Sequence, residues 1–500
     1  MNRYFFTLVL GLLVSLMNLQ AQWTQVGANI DGEAKYDHFG QSISINSDGS
    51  VVIIGAPGAD TNGSNSGQVK IFRNIGGTWT QVGDDLNGEA AVDRFGASVS
   101  INSDGSIIAI GAPSNNGNGY DSGLVRVYKN NSGTWTQIGS DINGEAEYDF
   151  SGSSVSLSSD GSIVAIGAPD HYNSLYAYEG AGNVRVFKNV SGTWTQIGEG
   201  IDGEAKDENS GSSVSLSADG SIVAIGAPYN DRDSFDNTDA DYGVVRVYKN
   251  ISGTWTQIGD DIFGNDENGL FGTTVSLSSD GSIVAIGAWG SGVSGGAPGK
   301  VQIFKNIDGA WRQIGNINGE EANERFGESV SINSAGNIVA IGAPGANSEC
   351  STCMGSGQVR IYKNTDDTWT QIDTDITGEA AGDSFGVVSI NSDGGTVAIG
   401  AYYNDVNGID SGQVKVYKNN ALNVSELKEA GISIYPNPSV GVFTIKNAEG
   451  YDVIITDITG KVIYHSTVTA NEQVCLQQSG VYIINFKSQT KNFSSKIIVK

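Results

Sequence analysis

Histidine, cysteine, proline and basic residues are all scarce in this chain of 500 residues. The histidines His38, His171 and His465 are scattered, and none stands at ligand spacing from another. With a single C-x-x-C, Cys350 and Cys353, the chain lacks the four ligands of a structural zinc site. In an oxidising compartment this pair is expected to close a small local disulfide. No βαβ pattern surrounds it, which speaks against thioredoxin-like chemistry. Cys475 stands alone. Only 28 Lys and Arg face 55 Asp and Glu, a net charge of −27. That field repels nucleic acid and anionic lipid, and it suits cations or basic partners. No H-E-x-x-H motif and no phosphate loop occurs.

Long apolar runs are also missing. The longest, Phe5 to Met17, falls short of the roughly 18 residues needed to cross a bilayer. Preceded by Arg3 and followed by Ala21, it reads as a secretory signal over residues 1–21. No transmembrane span is expected elsewhere.

What the chain has in abundance is glycine, 69 residues against 8 prolines, which fits short strands joined by tight turns. It also repeats itself. Trp23, Trp79, Trp135, Trp194, Trp255, Trp311 and Trp369 recur at spacings of 56, 56, 59, 61, 56 and 58 residues. Within one repeat, Ser98-Val99-Ser100-Ile101 alternates polar and apolar residues, as a strand with one buried face does. Ile107 to Ile110 is apolar throughout, as in a strand covered on both faces. Val125 to Tyr128 alternates again, and Trp135 to Ile138 supplies a fourth strand. Asp104-Gly105 and Ser132-Gly133 suit tight hairpins. Four antiparallel strands repeated seven times predict an all-β, seven-bladed β-propeller over residues 22–420. The last repeat ends at Asn419 without a Trp-Thr-Gln strand, whereas the mature chain opens with one. Trp23–Gly27 is therefore expected to complete blade seven.

Phe39-Gly40 with Gly55-Ala56-Pro57, Phe95-Gly96 with Gly111-Ala112-Pro113, and Phe326-Gly327 with Gly342-Ala343-Pro344 resemble the FG-GAP repeat of integrin-type propellers. Ser151-Gly152 and Ser210-Gly211 depart from the pattern, as do Trp289 and Tyr402 in the proline position. That resemblance implies calcium in some family members. Here the corresponding loop, Asn46 to Ser50, has one carboxylate, too few for six to eight oxygen ligands. No cofactor is firmly expected, although calcium at Asp231, Asp233 and Asp236 is possible by spacing.

After a linker at 421–431, residues 432–500 read as six or seven short strands, a small β-sandwich. Tyr435-Pro436-Asn437-Pro438, the Asp457-x-x-Gly460-Lys461-Val462 turn, Gly480-Val481-Tyr482 and the terminal Lys500 resemble the type A C-terminal sorting domain of type IX secretion substrates. The resemblance implies the type IX machinery as partner, with release or display at the outer-membrane surface.

A Gly-Glu-Ala element recurs between blades, with Glu33, Glu89, Glu145, Glu204, Glu320 and Glu379. An acid follows four residues later at Asp37, Asp93, Asp149, Glu208, Glu324 and Asp383. Such a ring could attract cations, but its repetition favours a role at blade interfaces, since a catalytic pair should be unique. The loops between second and third strands differ from blade to blade, and those of blades three and four are rich in aromatics. The expected ligand residues are His171, Tyr172, Tyr176, Tyr178, Tyr229, Phe235 and Tyr242. The function read from this pattern is non-enzymatic binding or adhesion toward an extracellular protein or glycan. The alternative is a carbohydrate-active hydrolase or lyase using loop carboxylates.

Overall fold

The computed structural model describes residues 23–172, 180–231, 241–290, 297–347, 355–419, 432–435, 439, 441–457, 461–488 and 492–499. Among these the chain consists of strands, turns and irregular loops. No helix there is long and apolar enough to cross a membrane.

Seven antiparallel sheets repeat one plan. Blade two shows it, with Ser98–Ile101, Ile107–Ala112, Leu124–Asn131 and Thr134–Gln137 paired in chain order. The glycine-containing hairpins join strands one to two and three to four. Ile108 and Ile110 of the second strand are fully buried, because both faces of the sheet pack on neighbouring blades. The Trp-Thr-Gln strand lies outermost, short and polar, which blunts the free sheet edge.

The first strands contact one another in cyclic order, and the strand at 387–390 returns to the strand at 42–45. The molecule is thus a closed seven-bladed β-propeller. In blade seven, Trp23–Gln25 pairs with Gln413–Asn419 in the register Trp23↔Asn419, Thr24↔Lys418 and Gln25↔Tyr417.

The repeat letters acquire physical reasons here. The Ser-x-Ser pattern of the first strand serves the crowded axis, where large side chains would collide. Ser44, Ser100, Ser156, Ser215, Ser276, Ser331 and Ser389 each accept the backbone N–H of the next blade, closing a ring of seven hydrogen bonds. A second ring is purely main chain. Ser47 N–H donates to Ser103 O, and the relay runs through Ser159, Ala218, Ser279, Ser334 and Ser392 back to Ser47. At the rim, six tryptophan indoles donate to a carbonyl of the preceding blade, as Trp79 does to Val26 O at 2.8 Å. The glycines of Phe-Gly and Gly-Ala-Pro meet between blades. A Cβ on Gly55 would stand 2.1 Å from the Gly96 carbonyl oxygen, and one on Gly400 would stand 2.2 Å from that of Gly40. No larger residue allows that approach.

The C-terminal residues form two facing sheets. One contains Ser433–Tyr435, Val442–Lys446 and Glu472–Cys475, and the other Val462–Thr467, Asp452–Asp457, Gly480–Lys487 and Asn492–Val499. Phe443, Ile445, Val453, Ile484, Phe486 and Ile497 fill the space between them.

Candidate functional site

The end of the propeller opposite the short hairpins carries the inter-blade and second-to-third-strand loops. Two layers of side chains there differ in kind, one repeated and one not.

The repeated layer is a set of charge clamps. Lys70, Arg126, Arg185, Arg246, Arg360 and Lys415 occupy one position of the third strand, and all are buried. Each meets the glutamate of the Gly-Glu element, from Lys70–Glu33 at 2.5 Å to Arg185–Glu145 at 3.7 Å. The acid four residues on turns inward. Asp37, Asp93, Asp149, Glu208, Glu324 and Asp383 accept backbone N–H groups of their own loop. The carboxylates are thus matched from beneath by cations and main-chain donors. Blade five lacks the whole device, with Asn265, Gly269 and Gln302 at the three positions. Its lysine has moved two residues, and Lys300 meets Asp266 at 2.5 Å.

The unrepeated layer sits at the axis, where second strands end and first strands begin. In blades five and seven the proline of Gly-Ala-Pro is replaced by Trp289 and Tyr402. Between them, flanking Phe326-Gly327 of blade six, stand Arg325 and Glu328. The Arg325 guanidinium lies 4.9 Å from the Trp289 ring centroid. It donates from Nη2 to Glu328 Oε1 at 2.8 Å. Arg325 Nε and Glu328 Oε2 are 2.6 Å apart, an ion contact, yet neither atom attains hydrogen-bond geometry. Burial outweighs the arginine's attraction and pushes the Glu328 carboxyl up to about 6. Tyr402 faces both charged groups, and burial pushes its phenol up to about 12. Tyr403 packs beside Tyr402 with the rings tilted by 50° and centroids 4.3 Å apart, and His38 meets Tyr403 edge-on at 5.5 Å. Burial lowers the His38 pKa. All six side chains are half-buried. Pro57, Pro113, Pro169, Pro228 and Pro344 hold the corresponding place in the other blades.

Farther from the axis, the fifth residue of each inter-blade loop has a left-handed backbone. Asp207, Asn268, Asn323 and Gly382 accept this readily, but Tyr36, Val92 and Tyr148 also adopt φ of 65°, 74° and 64°. Tyr148 N–H donates to Tyr120 O at 2.8 Å, and the two rings lie 5.5 Å apart.

Of the expected ligand residues, His171 pairs through Nδ1 with Asp149 Oδ1 at 2.9 Å, which holds its pKa above the ordinary value. Tyr172 and Tyr229 are exposed. Tyr242 Oη donates to Glu267 at 3.2 Å, and Asp231 accepts the Asp241 N–H at 3.2 Å. Tyr176, Tyr178, Asp233, Phe235 and Asp236 lie outside the described residues, as do Cys350 and Cys353. Among the described residues no group of three or more His, Cys, Asp or Glu could hold a metal ion. Tyr435 is exposed on the strand 433–435, while Pro436, Asn437 and Pro438 lie outside the described residues. The axial cluster was not among the expected site residues. Its only sequence signal is the break in the repeat at Trp289 and Tyr402.

Comparison with known proteins bears on both parts of the chain. Residues 28–72 match the FG-GAP repeat, and residues 433–500 match the secretion system C-terminal sorting domain. No curated protein matches. Among solved structures, a protein of Bacteroides uniformis provisionally assigned as a 6-phosphogluconolactonase is 13% identical, with a TM-score of 0.46. That match covers 68% of this chain and 86% of the other. The chain is an FG-GAP-repeat β-propeller with a type IX secretion sorting domain, directed to the cell surface or the exterior.

Proposed function

We propose that this protein is an extracellular binding module, not an enzyme, and that its propeller takes a protein or glycan on the face formed by the inter-blade and second-to-third-strand loops. The observation that carries this reading is the axial cluster. On a scaffold where six blades repeat their charge clamps, one aromatic and polar group departs from the repeat, is half-buried and faces the loop end. Unique polar groups on a repeated frame are where recognition is sought. The type IX machinery is the export partner through residues 432–500.

Immobilised mature chain should retain at least one member of a panel of glycans and surface proteins from the surrounding medium or neighbouring cells. Retention of none would overturn the proposal. A carbohydrate-active enzyme is the second reading, and the carboxyl of Glu328 is what favours it, since a value of about 6 suits a general acid. Glycoside hydrolysis ordinarily needs two carboxylates, and the cluster contains one. Release of reducing ends by the wild type, abolished by Glu328→Gln, would establish that second reading.

A further inference from the structure

Resting on the binding reading above, we infer that the axial cluster of Trp289, Arg325, Glu328, Tyr402, Tyr403 and His38 is a binding site for a neutral saccharide.

The cluster combines what a sugar ring requires. A pyranose presents C–H faces to an aromatic ring and hydroxyls around its edge. Trp289, Tyr402 and Tyr403 supply aromatic surface, from blade five on one side and blade seven on the other. Arg325 and Glu328 stand between them, planar groups suited to paired hydrogen bonds with neighbouring hydroxyls. Arg325 Nε and Glu328 Oε2 face each other at 2.6 Å and hold the pair rigid, while the two side chains keep 33% and 23% of their surface exposed for ligand hydroxyls.

Charge selects among saccharides. Arg325 is matched by Glu328 within the cluster, so no net positive charge remains to hold a carboxylate or sulfate. The chain as a whole carries −27, which repels polyanionic glycans. The exposed glutamates of the inter-blade loops, such as Glu33 and Glu89, add to that field. A neutral glycan is the class that meets no penalty.

The test uses the mature full chain and calorimetric titration with neutral hexasaccharides of β-1,4-glucan, β-1,3-glucan, α-1,4-glucan, β-1,4-mannan and β-1,4-xylan. Oligogalacturonate is the anionic comparison, and a surface-protein panel runs alongside. At least one neutral sugar should bind, and oligogalacturonate should not. Trp289→Ala and the near-isosteric Glu328→Gln should each weaken binding by about tenfold or more. Tyr148→Ala, outside the cluster, should leave affinity within about twofold. If Trp289→Ala lowers the melting temperature, Glu328→Gln with an unchanged melt decides the matter. Neutral-sugar binding that survives Glu328→Gln overturns the assignment. So does retention of a surface protein without any neutral sugar, and both of these results leave the broader binding reading standing. Failure to bind any member of either panel overturns both.

Discussion

His171 occupies the place that blades four and seven fill with Asn230 and Asn404. Those amides donate to Glu208 and Asp383, and His171 does the same service for Asp149. The histidine makes the contact depend on pH. The hydrogen bond to Asp149 raises the His171 pKa above its ordinary 6.5, against the opposing effect of burial. Its stabilisation is full below the unfolded value and is lost as pH rises through the raised folded one. Relative to His171→Asn, the wild type should lose about 1–2 °C of melting temperature between about pH 6 and pH 9. Parallel melting curves across that range would refute the pairing. Val92 offers a second test at this scale. A β-branched residue held at φ 74° and half exposed is strained without burying its side chain. Val92→Asn, the residue that blades five and six use there, should stabilise by about 1 kcal/mol, read from denaturant midpoints. A lower midpoint would show that the valine side chain earns its place by contacts.

The third strand of each blade is more than an alternating ribbon. In sequence its basic residue stands in the polar register of an alternating strand, a register that ordinarily faces solvent. In the structure Arg360 is 2% exposed at its side chain and Glu324 is fully buried, because the inter-blade loop folds over the strand. That is why the clamps were legible only as a recurring acid. Their cationic halves hide in a pattern that ordinary surface strands share. The seven-fold frame was plain for the opposite reason, since tryptophan, glycine and serine recur wherever blades touch. The axial cluster was obscured again, because single substitutions inside irregular loops have no period. Replacing Arg360 by Met strands a buried carboxylate, and about 3–5 kcal/mol of stability should go with it, measured by denaturant unfolding. Adding Glu324→Gln should recover part of that loss. Blade five gives the converse: Gln302→Arg alone should destabilise, because Asn265 and Gly269 offer no carboxylate. Adding Asn265→Glu and Gly269→Asp should recover only part of that loss, because a Cβ on Gly269 would stand 2.7 Å from the Asp266 carbonyl oxygen.

Across the whole molecule, two bodies divide the labour. The sandwich at 432–500 addresses the protein to the outside, and the propeller is what arrives there. In a host with the type IX system, removing residues 432–500 should leave the propeller in the periplasm, followed by fractionation and immunoblotting. Appearance in the medium at the wild-type level would show a second export signal. Closure of the ring belongs to the same scale. Removing residues 22–28 deletes a strand and a buried tryptophan that contributes up to about 5 kcal/mol at 25 cal/mol/Å². A sharply lower melting temperature is expected, and an unchanged one would mean that blade seven holds with three strands.

The pairing of Trp23–Gln25 with the strand ending at Asn419 also sets the path of mechanical load. If the displayed protein is tethered through its C-terminal side and pulled through a bound ligand, tension enters the propeller at Asn419. It meets a strand gripped on one side by residues 396–401 and on the other by residues 23–25. A pull along that strand strains its hydrogen bonds together, in shear, rather than peeling them one at a time. Residues 23–25 therefore act as a latch on the last blade. A propeller missing them should open at lower force in single-molecule pulling, whatever it binds.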